Sequence, residues 1–363
     1  MKKTRLIATL IGGVGSLLIA GCSTVNLGDV PSNRENYNRA LDSSENEQFL
    51  LNIVRLHYGE NPYFVGVDSI TAATSLTTGA NGDFGVNNVW APINGVQWSI
   101  SPQISFSQTP TITYTPVQGG KFAKGMLAAL SLDKIYLLLQ SGYSPKEVMK
   151  LTFNRIGSLR NGSSSVNSNG ATAPNTSAFD NFINTLDLLG NSNQIHSELT
   201  SYESKPAIFV YAASQDAAKT LAQSLHLSKP YTKLIFAPTL MVDGKQPENV
   251  ISVHTRSFFN VLEFVSKDVD TPKSTESTTA EYNRPLADPN IDWSSYTYKM
   301  LHVRENSSDP DNVITKTQYE GNWYYIAEDD ELSKSTLVLL KLIYSLQMGE
   351  VQANLPLITI PVQ

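Results

Sequence analysis

The chain has 363 residues, 41% hydrophobic and 17% charged, enough for one large domain or two ordinary domains with a real core. A formal charge of -6 leaves no basic footprint, which argues against nucleic acid as a partner and against a polybasic membrane contact. The single cysteine excludes an intramolecular disulfide and a cysteine-ligated zinc site.

Lys2, Lys3 and Arg5 open the chain, an apolar stretch runs from Leu6 to Ile19, and Ala20 and Gly21 lead into Cys22. A charged start, an apolar middle and a small-residue end make a secretory signal. The stretch is short, and Gly12, Gly13, Gly15 and Gly21 weaken it as a helix, whereas spanning a bilayer takes about 20 apolar residues. Leu18-Ile19-Ala20-Gly21-Cys22 closely resembles the lipobox of bacterial lipoproteins. The resemblance implies that residues 1–21 are a signal peptide, and that Cys22 carries an S-diacylglycerol and an N-acyl group such as palmitate. In enterobacterial lipoproteins an Asp after the cysteine favours the inner membrane, so Ser23 implies the cell outer membrane, on either of its faces. The thiol is then committed to lipid, and thiol catalysis falls away too.

Residues 22–43 read as the lipidated N-terminus and a polar tether, with Pro31 among Asn and Ser residues. Ser44-Glu45-Asn46-Glu47 fits a capping box for a helix through Phe49, Leu50, Ile53, Val54 and Leu56. From 63 to 116 apolar residues alternate with Gly, Ser, Thr and Gln, the period-2 mark of strands with one apolar face. Asp68 and Asp83 are the only formal charges there, and turns are expected at Gly79–Gly82 and Pro92–Gly95. Helices are expected at Leu132–Gln140 and Pro145–Ile156, completing a region 44–160. Residues 161–176, rich in Ser, Asn and Gly, read as a flexible linker and domain boundary.

A mixed domain is expected over 177–363. Its helices are predicted near 178–189, 215–225, 258–266 and 332–348. Its strands are predicted near 207–212, 233–242, 250–255, 298–303, 313–319, 323–326 and 355–362. The fold class is α+β, with a β-hairpin-rich N-terminal part and an alternating C-terminal part. Leu51-Asn52-Ile53-Val54-Arg55-Leu56, Pro110-Thr111-Ile112-Thr113-Tyr114-Thr115-Pro116 and Asn322-Trp323-Tyr324-Tyr325-Ile326 make the body resemble an uncharacterised set of proteobacterial lipoproteins, which implies no activity.

No catalytic constellation emerges. The five histidines are scattered, HExxH and GxSxG are absent, and no metal or cofactor is expected. Glu328-Asp329-Asp330-Glu331 suits the start of the last helix, whose dipole favours carboxylates by about 0.3–1 kcal/mol each. Arg256 and Ser257, at a strand-to-helix junction, are candidate anion-binding residues, although an ordinary N-cap explains them better. Trp323 is a candidate ligand platform, but alternation would instead bury Trp323 and Tyr325 and expose Tyr324. The leading expectation is a non-catalytic scaffold or partner-binding lipoprotein of the cell envelope, anchored in the membrane by lipid and contacting other envelope proteins.

Two alternatives stand beside it. One is a hydrolase that would use His254, Arg256 and Asp330. The other is a homo-oligomeric channel or secretion assembly in which each protomer inserts a hairpin from residues 63–107, with Phe84, Trp98 and Phe106 as interfacial belt residues. In a soluble sheet packed under the helices of residues 132–156, those three aromatics would be core.

Overall fold

The computed structural model describes residues 29–86, 96–162, 174–238, 247–272, 286 and 292–352. Cys22, the turn Pro92–Gly95 and the strand expected at 355–362 lie outside them. The architecture is α+β, as the sequence predicts.

The first helix, α1, spans Asp29–His57, so the helix begins well before the Ser44 box and includes much of the expected tether. From 34 to 47 it is exposed on nearly every side, which is why its sequence reads as a linker. Only from Phe49 onward does it bury Phe49, Leu50, Ile53 and Val54. Strands β1 (Phe64–Val86) and β2 (Val96–Val117) follow as one antiparallel hairpin that, among the described residues, joins no other sheet. Gly79–Gly82 is not a turn; it lies inside β1, paired with residues 100–103. Gly119 has φ +94 and opens a helix not foreseen, α2 (Gly120–Leu127).

Helices α3 (Leu132–Gln140) and α4 (Pro145–Thr152) come next. The second is shorter than expected, because Phe153–Ile156 becomes strand β3 and pairs with residues 253–255. Then come β4 (Leu159–Arg160), α5 (Ser177–Asn191), β5 (Ile195–Tyr202), β6 (Lys205–Ala212), α6 (Gln215–Ser224), β7 (Lys233–Pro238), β8 (Val250–Thr255) and α7 (Phe258–Val265). They build a six-stranded sheet, β4-β3-β8-β7-β6-β5, parallel only between β7 and β8. Edge strand β5 is a polar run that its sequence does not announce.

The short helix α8 (Ser294–Thr297) precedes a three-stranded sheet of β9 (Arg304–Asn306), β10 (Val313–Tyr319) and β11 (Asn322–Ala327), ordered β10-β11-β9. The strand expected at 298–303 is displaced to β9, since Tyr298 and Lys299 have φ +58 and +53, values no strand adopts. Helix α9 (Glu331–Gln352) closes the described chain. Asp330 caps it, accepting from the Ser333 amide at 3.0 Å and the Ser333 hydroxyl at 2.7 Å.

One buried cluster runs from Phe49 to Met348 and takes residues from both sides of 161–176, so that segment does not separate two cores. α1 ends in it at His57, whose Nδ1–H donates to the Ser266 carbonyl at 2.8 Å. Among the described residues Nε2 has no partner, and burial lowers the ring's pKa to about 4. The unfolded chain takes up this proton near pH 6.5 and the folded chain only near 4, so stability is full above 6.5 and falls as pH drops between the two. Urea unfolding at pH 4.5 and 7 should show a loss of roughly 2–3 kcal/mol from this group. A His57→Gln variant should lack that component of the pH dependence.

Candidate functional site

Among the described residues, the β1–β2 hairpin stands apart from the two other sheets. β1 and β2 are 23 and 22 residues long, or about 75 Å at 3.3–3.4 Å per residue. Its root is packed: Phe64 and Val117 are 0% and 1% exposed and Thr115 is buried, while Val67 and Tyr114, at 37% and 42%, are exposed. The helices expected to cover it, α3 and α4, pack instead against β6 and α7.

The register sorts the hairpin's residues by polarity. Directly opposed residues share a face. One face carries Leu76 opposite Phe106, Thr78 opposite Ile104, Ala80 opposite Pro102, Gly82 opposite Ile100, Phe84 opposite Trp98, and Val86 opposite Val96. The other carries Thr77 opposite Ser105, Gly79 opposite Gln103, Asn81 opposite Ser101, Asp83 opposite Ser99, and Gly85 opposite Gln97. Thr78 is the sole polar residue on the first face of this segment, and Asp83 the sole charge on the second. Nearer the root, the polar pair Thr74–Gln108 interrupts the apolar face.

Two amides of α1 hold the root in register. Asn52 brackets Tyr63, with its Nδ2 donating to the carbonyl at 2.9 Å and its Oδ1 accepting from the amide at 2.8 Å. One turn earlier Gln48 does the same for Val65, at 3.2 and 2.5 Å. Both polar groups of Val65 thus face away from β2, so the opposed residue, Pro116, also faces outward. β2 carries no bulge, so Pro110 and Pro102 share that outer edge, where a missing N–H leaves the hairpin's own ladder intact. A cleft of about 400 Å³ lies between α1 and the root, lined by Leu41, Asp42, Glu45, Val65, Val67 and Tyr114 among others.

Arg256 does not face an anion. It is 5% exposed, and its guanidinium donates to the carbonyls of Lys150 (2.5 Å), Leu151 (3.1 Å) and Asn161 (2.7 Å), stacked 4.3 Å from the Phe264 ring. Ser257 is the N-cap of α7, accepting from the Asn260 amide at 3.2 Å. Trp323 is half-buried under Lys316, and the alternation is reversed: Tyr324 is the buried ring, 1% exposed, bonded to Tyr58. β9 and β10 cover β11 on both edges, and the Tyr58 and Tyr319 rings close over Tyr324.

His254 contacts Arg155 at 2.5 Å, and Asp330 is engaged as a helix cap, so the hydrolase trio is not assembled as a catalytic group. Among the described residues no three metal-ligating side chains converge. Compared with family models, curated proteins and solved structures, the chain matches none.

Sequence reasoning misses a buried cation. Lys150 is 0% exposed, and its Nζ donates to Asp180 at 2.8 Å and Thr176 at 3.1 Å, 4.4 Å from the Tyr298 ring. Desolvation lowers its pKa to about 8 against the pull of Asp180. Asn161 donates to the Lys150 carbonyl at 2.8 Å, so both ends of the 161–176 segment are tied to one residue. Gly162 closes the arrangement: with φ +82 it approaches Tyr296 so nearly that a Cβ would lie 2.3 Å from the ring. No motif marks Lys150, which looks like any exposed lysine of an amphipathic helix. Asp180→Ala should cost about 3–5 kcal/mol in urea unfolding, since it strands a buried ammonium. Adding Lys150→Met should restore much of that loss.

Proposed function

We propose that the protein is a lipid-anchored protomer of an oligomeric outer-membrane channel, to which each chain donates the β1–β2 hairpin. The observation that carries this reading is the hairpin's register, which collects apolar residues on one face and small polar residues on the other. A strand crosses a bilayer in about 9–11 tilted residues, and Leu76–Val86 with Val96–Phe106 has that length. Outward apolar and inward polar alternation is what a membrane barrel needs. Two strands cannot close a barrel, and open edges are not stable in lipid, so the channel requires a ring of protomers. The lipobox at Cys22 brings the chain to the membrane where such a ring would assemble. A scaffold that stayed in water would keep the anchor but would have no need of a membrane-length segment with one apolar and one polar face.

Full-length lipoprotein purified in mild detergent should size as an oligomer and give discrete conductance steps in planar bilayers. Ile100→Lys places a charge on the lipid face near the middle of the segment, where a barrel loses about 2–4 kcal/mol, and should abolish the steps. Ser105→Lys, on the polar face, should keep them. A monodisperse monomer without conductance would refute the channel.

The lumen carries hydroxyls and amides with one acidic position per protomer, Asp83. A ring of carboxylates selects cations. Reversal potentials under a KCl gradient should favour potassium, fall toward zero for Asp83→Asn and change sign for Asp83→Lys.

A further inference from the structure

The helix and the hairpin leave the core in the same direction. Asn52 brackets Tyr63 and Gln48 brackets Val65, so tracing α1 back toward its start moves forward along β1 toward the tip. The two elements flank one cleft as far as Asn38 on the helix and Val67 on the strand. α9 fixes this direction: Lys341 donates to Asp42 at 2.6 Å and Asn46 at 3.0 Å, and pairs with Glu45 at 3.2 Å. The helix is therefore braced on the body by α9, not only at its buried end.

From Gln48 back to Asp29 the helix rises about 28 Å at 1.5 Å per residue. The same distance along β1 from Val65 covers about eight or nine residues at 3.3–3.4 Å each. That ends at residue 73 or 74, where Thr74–Gln108 interrupts the apolar face and the membrane-length apolar segment begins. The described length of the polar helix thus reaches as far along the hairpin as the polar break at Thr74–Gln108. Between Asp29 and Cys22 lie only residues 23–28, which span about 20 Å at most.

We infer that α1 is a strut that carries the lipidated N-terminus along the hairpin, so that the bilayer surface meets the hairpin at Thr74–Gln108. The hairpin then enters the leaflet in which the lipid is seated, and Phe64–Ala73 with Thr109–Val117 forms a stalk in water. This rests on the channel reading and names the lipid surface it engages.

Cys22 is the only cysteine, and acylation blocks its thiol, so an introduced cysteine can be labelled alone. Full-length lipoprotein carrying Val67→Cys, Thr74→Cys, Thr78→Cys, Ile104→Cys or Gln108→Cys is labelled with an environment-sensitive fluorophore. It is then reconstituted in phosphatidylethanolamine–phosphatidylglycerol vesicles containing a lipid-borne quencher. Labels at 78 and 104 should shift to the blue and be quenched, that at 67 should do neither, and those at 74 and 108 should be intermediate. Inserting seven helix-forming residues after Arg39 lengthens the strut by about 10 Å. The transition should move about three residues toward the tip, making position 78 intermediate. If no label enters lipid, the channel reading itself fails. If labels enter but the transition lies away from 74 and 108, or the insertion does not move it, the strut is overturned and the channel stands.

Discussion

Phe64 stacks on Tyr344 with ring centroids 4.7 Å apart, and everything the hairpin does depends on that contact. Phe49 closes on Phe64 at 5.4 Å and on Tyr344 at 5.5 Å, while Phe122 and Phe258 complete the surround at 6.3 and 6.4 Å. α1, β1, α2, α7 and α9 meet in this one aromatic knot. Aromatic pairs contribute about 0.5–1.5 kcal/mol each beyond the area they bury. An isolated two-stranded ribbon is marginal in water. Here the ribbon borrows order from its root, where a side chain of β1 is part of the body's own core. The aim of the hairpin is set by the same residues that hold the helices together.

Much of this was legible in the sequence where one physical signal dominated. The period-2 alternation of residues 63–116 marked strands, and Ser257 and Asp330 cap the helices that were expected to follow them. The failures share a cause: a local pattern says what a residue prefers, and not what meets it. Residues 29–43 look like a tether because a helix with no core against it has no apolar stripe. Gly79–Gly82 looks like a turn because glycine and asparagine break most strands, yet the register continues through it. Arg256 looks like an anion site at a helix start, and three carbonyls claim it first. Tyr324 is buried because two strands flank β11 and two tyrosines cover its ring, a fact no alternation along one strand contains.

The hairpin was visible as two alternating stretches, but its register was not. Whether Leu76 opposes Phe106 or Ser105 decides whether the ribbon has two faces of opposite character or two mixed ones. The bulge between Val67 and Ser69 matters for the same reason. It changes the parity of β1 against β2, and beyond it the apolar residues of both strands coincide. One extra residue near the root thereby gives the rest of the ribbon its amphipathic character.

The common heading of α1 and the hairpin has a geometric consequence for assembly. On the proposed channel reading, chains tethered to one bilayer by their N-termini would all hold their hairpins the same way up. Two neighbours standing side by side then offer like edges only in parallel, and an antiparallel ladder can form only between β1 of one and β2 of the next. Such a contact is heterologous, using a different surface on each partner, and a heterologous contact that repeats by rotation closes into a ring. Pro102 and Pro110 make the two edges chemically unlike as well, since only the β2 side lacks donors there. On that reading the membrane would confine the repeating contact to rotation about the bilayer normal, without any contact having to specify how many chains take part.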